Sequence, residues 1–516
     1  MTAPVADVVA LLRARHTLLW IVSREEARVE RALVDAAGAA KYDVKFWDCA
    51  TGLSDASGKS IDETMVAPSG TFPPGVLDCI RNRTNRAVYV LRDFDAFLRD
   101  PVVCRSLRSL ARSLQAAPKG EARAIIVLST SSEIPASLAG HATLVEWPLP
   151  DRAEIASLLD SVTDSLSDEV RAGAVADGVR ERAIDAAVGL SAEEATNCYS
   201  RSLVSTRRID PAIVATEKKR VVARGRGVTW EDPDPRGLDA VGGLDFLKGW
   251  LGPRKAAFGE RARAYGLTPP KGVFLVGLPG TGKTLVSRCI ASTWGLPLLS
   301  LDFGALQSKY VGESQTNLRS TLALIEAVAP CVVRIDEIEK ALAGASGPAG
   351  DGGVAADALG KFLQWMQEKT APVFVVATAN DVRALPPELL RKGRFDEVFF
   401  VDLPTTSERE AIVGASLRYY GRDASLVDAA AVAAATQGFS GAEIAALVPD
   451  AMFAAFGDAE RPVVTSDLLT AASAVVPLAK TAAEKIETLR SWAKGRARLA
   501  SAPEAVAAGK ARDLDV

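Results

Sequence analysis

Apolar and polar positions along the chain form two similar series of elements. Continuous apolar runs at residues 17–22, 87–91 and 124–128 in the first half are matched by runs at 272–276, 331–335 and 373–377 in the second. Short runs that are apolar at successive positions predict strands buried on both faces, and the amphipathic stretches between them predict helices covering a parallel sheet. After the third run of each series comes a strand-like piece ending in proline, at 143–148 and 398–404, and then a helical segment, at 151–214 and 407–474. The pattern predicts two tandem α/β units, each with a small helical appendage.

The expected organisation is an α/β unit over 1–150, a helical subdomain over 151–215, a linker over 216–238, a second α/β unit over 239–404, a helical lid over 405–476 and a helical tail over 477–516. The linker reading rests on composition: Lys218, Lys219, Arg220, Arg224 and Arg226 precede Pro233 and Pro235. A basic run of this kind reads first as a solvated helix end and only second as a nucleic-acid contact. In the tail, Ile486, Leu489 and Ala493 stand at helical spacing beside Trp492, in a stretch rich in Lys and Arg that reads first as a solvated amphipathic helix and only second as a surface that docks on a partner.

Composition narrows the class. Lys+Arg 61 against Asp+Glu 64 gives a net charge of −3, which argues against a chain whose first task is to coat nucleic acid or an anionic membrane. No apolar run approaches the ~18 residues of a membrane span. At the start, the arginines follow the weakly apolar stretch, the reverse of a secretory signal. The six cysteines are widely separated, without a CxxC pair, and read as small buried hydrophobes. Two histidines, His16 and His141, argue against a His-based metal site. A cytoplasmic protein without membrane insertion is expected.

The strongest chemical signal is Gly277-Leu-Pro-Gly-Thr-Gly-Lys-Thr284, a full GxxxxGK[ST] between a predicted strand and a predicted helix. Glycines let such a turn fold into a nest of N–H groups that, with the helix N-terminus, surrounds phosphate oxygens. The predicted nucleotide contacts are Gly277, Pro279, Gly280, Thr281, Gly282, Lys283, Thr284 and Leu285. Lys283 supplies charge to the β- and γ-phosphates, and the Thr284 hydroxyl completes a Mg²⁺ shell. The second signal is the run Cys331-Val-Val-Arg-Ile-Asp336-Glu337. A strand there ends beside the phosphates, so Asp336 can hold Mg²⁺ and Glu337 can polarise an attacking water. Arg334 is out of place in an apolar strand. Its stem can pack while the guanidinium reaches water or an acid, or it tunes the nucleotide site.

From Val241-Gly-Gly-Leu244 onward the second unit resembles an AAA+ ATPase of the protein-remodelling clade. The P-loop, Asp336-Glu337, Ala377-Thr-Ala-Asn380, Leu389-Leu-Arg-Lys-Gly-Arg-Phe-Asp396 and Gly438-Phe-Ser-Gly-Ala-Glu443 follow in family order. The resemblance implies a RecA-like P-loop NTPase, a three-layer αβα fold with a parallel sheet and a small helical lid, preceded by a degenerate AAA-like α/β domain. It implies ATP and Mg²⁺ as cofactors, Asn380 as the sensor of the γ-phosphate, and Arg391 and Arg394 as fingers reaching a neighbouring subunit. It also puts Val241, Gly242, Gly441 and Ala442 beside adenine. Lys309-Tyr-Val-Gly-Glu-Ser314 resembles a pore loop that grips extended polypeptide through Tyr310 and Val311, and the Gly-rich stretch 344–353 stands in the place of a second one. The implied assembly is a homo-oligomeric ring, a hexamer, acting on an unidentified protein client.

Residues 362–380 and 239–251 resemble a narrower AAA+ family found in algal plastid genomes, cyanobacteria and other bacteria. So do Pro477-Leu-Ala-Lys-Thr481 with Trp492 in the tail, and Ser23-Arg-Glu-Glu26, Arg92-Asp-Phe94 and Pro148-Leu-Pro-Asp151 in the first half. The chain departs from that family at Tyr310, where the family position is less aromatic. The first unit lacks a Gly-rich loop after its first strand, and no P-loop lysine precedes Asp93 and Asp95, so it is expected to be nucleotide-free. Two other functions fit the same motifs: a nucleotide-dependent switch or scaffold, and a nucleic-acid loader or translocase.

Overall fold

The computed structural model describes residues 3–61, 71–131, 133–167, 178–223, 227–306, 311–343, 352–383, 385–391 and 393–502. The chain divides into two compact units, Met1–Asp185 with Leu190–Asp210, and Ala186–Gly189 with Pro211–Val516.

The first unit contains β1 (Leu18–Val22), β2 (Asp43–Asp48), β3 (Gly52–Asp55), β4 (Ala87–Arg92), β5 (Arg123–Ser129) and β6 (Thr143–Glu146) in the order β3-β2-β4-β5-β1-β6. All neighbours are parallel except the β2–β3 edge pair. Side chains alternate between two cores, because successive residues of a strand point to opposite faces. Leu19, Ile21, Val88, Val90 and Ile126 pack on one side, and Leu18, Trp20, Tyr89, Leu91 and Ile125 on the other.

The second unit contains β7 (Val228–Glu231), β8 (Gly272–Gly277), β9 (Leu298–Leu301), β10 (Cys331–Ile335), β11 (Val373–Ala379), β12 (Glu397–Val401) and β13 (Arg498–Leu499) in the order β13-β12-β8-β11-β10-β9-β7. Only β7 runs antiparallel to its neighbour, β9. Phe274, Val276, Val333 and Val375 enter one core, and Val273, Leu275, Val332 and Phe374 the other. Without the edge strands, both sheets share one topology: the first parallel strand lies between the fourth and the fifth. The tandem α/β arrangement follows directly from the paired apolar runs.

Each unit ends in helices. In the first, Arg152–Asp164 and Ala192–Thr206 each begin with a capping box, Asp151 with Glu154 and Ser191 with Glu194. In the second, Thr406–Tyr419, Ala429–Ala435, Gly441–Gly457 and Thr465–Ala474 surround a separate core that includes Leu417, Val432, Leu447 and Leu468.

Two stretches differ from the expectation. The helix Pro211–Val222 runs into the segment expected to be a linker and is followed there by β7, which extends the sheet of the second unit, with Val228 fully buried and Trp230 packed against the core. The described part of the basic run is paired: Lys218 donates to Val188 O at 2.5 Å, Lys219 meets Asp232 at 2.6 Å and Arg220 meets Glu217 at 2.8 Å, while Arg224 and Arg226 lie outside the described residues. Composition overstated how exposed this stretch is, because its apolar residues alternate. The tail is also built into the second unit. Ile486, Leu489 and Ala493 of the helix Ala483–Ala493 are buried in the core beneath the sheet, and β13 pairs with β12.

Candidate functional site

The glycine-rich turn starts where β8 ends. A Cβ on Gly277 would lie 2.2 Å from Val401 O, so glycine is what lets β8 and β12 run side by side to this point. Gly280 (φ +77) and Gly282 (φ +91) then take the left-handed backbone that glycine adopts without strain. Gly282 precedes the helix Lys283–Trp294, whose first-turn N–H groups have no partner within the helix and open into the turn. The turn also abuts the lid: Ala442 N donates to Gly280 O at 2.9 Å, and a Cβ on Gly280 would stand 3.2 Å from Ala442 Cβ.

Lys283 is only 6% exposed, and its ammonium donates to Gly277 O at 2.9 Å and Leu278 O at 2.6 Å. Burial pushes its pKa down to about 8, against the opposing fields of Glu339, Asp336 and Glu337. Two carbonyls are a weak substitute for an anion, so the group is poised to accept phosphate charge.

β10 delivers the acids. Thr284 Oγ1 lies 3.4 and 3.5 Å from the two Asp336 oxygens, and Thr378 Oγ1 donates to Asp336 Oδ1 at 3.2 Å while accepting Glu337 N at 3.0 Å. A hydroxyl facing a carboxylate is an all-oxygen donor set, which suits a hard divalent cation such as Mg²⁺. Glu337 turns sharply out of the strand at φ 49, and its Oε1 accepts Asn380 Nδ2 at 2.7 Å. Lys340 pairs with the other Glu337 oxygen.

Glu339, Thr378 and Glu408 also belong to the site and were not singled out from the sequence. Glu339 is 8% exposed and accepts Asn380 N at 2.8 Å, which fixes the backbone of that asparagine. Its Oε2 and Asn380 Oδ1 are buried without a hydrogen-bond partner. A third acid in Asp336-Glu337-Ile338-Glu339 was the available signal. Glu408 completes a capping box with Thr405 at the start of the helix Thr406–Tyr419. Its Oε1 accepts both Leu244 N at 2.8 Å and Ser501 Oγ at 2.5 Å, joining the lid, the 241–244 strap and the tail. The box is readable as Thr-x-x-Glu, but its distant partners are not.

The strap lies directly on the lid. A Cβ on Gly242 would come within 2.6 Å of Ile412, and Val241 is buried beside it. Strap, P-loop, acids and lid enclose a cavity of about 560 Å³ lined by Val241, Gly242, Pro279, Gly280, Thr281, Gly282, Lys283, Thr284, Leu285, Asp336, Glu337, Asn380, Gly441 and Ala442. On the lid side of the cavity, the Arg236 guanidinium stacks 4.4 Å over the Tyr419 ring.

The remaining candidates lie elsewhere. Arg391 is exposed, and Arg394 donates to Glu388 O; neither lines the cavity of its own chain. Tyr310 lies outside the described residues, as do 344–351. Val311 opens the helix Val311–Val328, with its side chain outside the described set.

The corresponding place in the first unit is built differently. After β1, the Glu25 carboxylate accepts Ala192 N at 2.6 Å and pairs with Arg28 at 2.6 Å. The left-handed residue after the third parallel strand is Asp93, as it is Glu337 in the second unit, but Arg92 stands before it where the second unit has Asp336. Arg92 pairs with Glu30 and Asp48.

Comparison with known proteins agrees with this architecture. Residues 273–403 match the model of the AAA family, the ATPase family associated with various cellular activities. Residues 5–147 match the SpoVK-like AAA ATPase N-terminal domain, and residues 153–225 the second domain of the same group. The AAA domain-containing protein ycf46 of Guillardia theta is 37% identical over 506 residues, spanning 96% of each chain. Its counterpart in Pyropia yezoensis is 35% identical over 503 residues, spanning 96% of this chain and 99% of its own. The ATP-dependent zinc metalloprotease FtsH of Acidothermus cellulolyticus is 36% identical over 266 residues, 49% of this chain and 39% of that one. With its SpoVK-like domains, its AAA domain and near full-length likeness to these relatives, the chain belongs to the ycf46 family of AAA ATPases.

Proposed function

We propose that the chain binds and hydrolyses Mg-ATP and works in the cytoplasm as a hexameric ring that remodels an unidentified protein client. The observation that carries the ATPase reading is the convergence on one cavity of a buried lysine at a glycine turn, a hydroxyl–carboxylate pair and a glutamate bonded to an asparagine amide.

Lys283 exchanges the Gly277 and Leu278 carbonyls for phosphate oxygens, with the N–H groups of the turn around it. Thr284 and Asp336 hold Mg²⁺, which when bound neutralises phosphate charge. Glu337 polarises water for in-line attack, and Asn380, held through its backbone by Glu339, orients Glu337 and senses the γ-phosphate. Val241, Gly242, Gly441 and Ala442 flank adenine. Arg391 and Arg394 complete the site of a neighbouring subunit, and Tyr310 and Val311 grip the client. The first unit takes no nucleotide and serves the ring or a partner. In support, Glu25 there bonds a helix N-terminus, and Arg92 replaces the metal-holding acid.

Two measurements test this. Lys283→Ala lowers ATP turnover at least about a hundredfold, because it removes the buried ammonium at the glycine turn; turnover within a few-fold of wild type contradicts the site. Glu408→Ala leaves the buried Leu244 N and the half-buried Ser501 Oγ without their acceptor, a loss of about 1–3 kcal/mol for the buried amide. Nucleotide affinity, followed with a fluorescent ATP analogue, is expected to fall about tenfold as the strap loosens. An unchanged affinity would show that the strap is held without Glu408.

A further inference from the structure

Arg334 is the charged residue within β10, flanked by the fully buried Val333 and the buried Ile335. The strand register sets it opposite Ser300 of β9, and β7, antiparallel to β9, brings Glu231 alongside from the edge of the sheet. The guanidinium is used at both ends. Nη1 donates to Asp336 Oδ2 at 2.5 Å, while Nη2 donates to the Glu231 carboxylate and to Ser300 Oγ at 3.2 Å. The side chain is 15% exposed, and its Nε is buried without a partner. So the carboxylate assigned to Mg²⁺ already carries a charge-assisted hydrogen bond on one oxygen, and a second acid holds the other end of the same cation.

We propose that Arg334 is a positioning residue that sets how readily Asp336 takes up Mg²⁺, and that Glu231 sets how firmly Arg334 holds Asp336. The inference rests on the Mg-ATP reading of the site. A metal approaching Asp336 competes with the guanidinium for Oδ2, since a hydrogen-bonding cation lowers the negative charge a carboxylate offers. Glu231 gives the guanidinium another carboxylate to rest on, so its release from Asp336 does not leave a charge unpaired in a half-buried place. Removing the competitor and removing its resting place therefore act in opposite directions.

The experiment titrates Mg²⁺ against the full-length protein and follows binding of a fluorescent ATP analogue, with no turnover read. Arg334→Met keeps the length of the stem and loses the charge; it lowers the Mg²⁺ concentration for half-maximal binding about tenfold, since one competing charge-assisted hydrogen bond is gone. Glu231→Gln raises that concentration several-fold, because among the described residues Arg334 is left with Asp336 as its one acidic partner. Arg334→Lys returns the midpoint towards wild type. A packing role alone would lower the melting temperature of both variants and leave the midpoints together. Midpoints that shift in the same direction, that do not shift, or that show no Mg²⁺ dependence in wild type overturn the inference. Should Arg334→Met fail to fold, the direction of Glu231→Gln decides: a rise supports the inference and anything else overturns it. Lys283→Ala in the same titration separates the two levels. Equal analogue binding by Lys283→Ala and wild type sinks the ATP site itself, whereas loss in Lys283→Ala with unmoved midpoints in the other variants sinks only the role of Arg334.

Discussion

Glu337→Gln lowers ATP turnover by about a thousandfold while nucleotide affinity stays near that of wild type. The substitution keeps the shape of the side chain and the oxygen that accepts Asn380 Nδ2 at 2.7 Å, so the cavity wall is preserved. The backbone of residue 337 is held independently, through its N–H on Thr378 Oγ1 at 3.0 Å and its turn at φ 49. What disappears is the negative charge proposed to polarise water, together with the ion pair to Lys340. Steady-state phosphate release and fluorescent-nucleotide binding on the same samples separate the two effects. Turnover within tenfold of wild type would take Glu337 out of the role of base. If turnover and binding fell together, the residue would be a nucleotide contact instead.

Arg391→Ala has an effect of comparable size, about a thousandfold, for a different reason. Arg391 is exposed and absent from the lining of its own cavity, so a finger role requires it to act on another copy of the chain. In a ring built from head-to-tail contacts, each site pairs one chain's Glu337 with the next chain's Arg391. Equal mixing of the inactive Arg391→Ala and Glu337→Gln proteins then creates intact sites at about a quarter of the interfaces, half times half, and turnover partly returns. No recovery on mixing, with rings present, would show that Arg391 does not work across an interface.

Much of this was legible because of where the residues lie. Central strands such as Val373–Ala379 are buried on every residue, and burial on both faces writes a continuous apolar run into the sequence. The phosphate turn was legible because its chemistry is local: glycines at positive φ, a lysine and a hydroxyl follow one another in the chain. Contacts made across the sheet were not. The pairing of Arg334 with Glu231 joins residues 103 apart and depends on the register of a four-residue edge strand, in a stretch whose prolines and basic residues suggested a linker. The tail shows the same division. Helical spacing of Ile486, Leu489 and Ala493 marked an amphipathic helix, but the core that receives it, and the pairing of β13 with β12, come from long-range packing. Glu408 falls between the two, with a cap written locally and partners at Leu244 and Ser501 that no spacing reveals.

Hydrolysis at a site shared between subunits ties turnover to assembly. ATP turnover per subunit is therefore measured across a dilution series, with mass photometry on the same samples. Turnover that rises as hexamers form, and that stays flat and low for Arg391→Ala over the same range, is the expected result. Turnover per subunit that is constant from monomer to ring, or indifferent to Arg391, would contradict it.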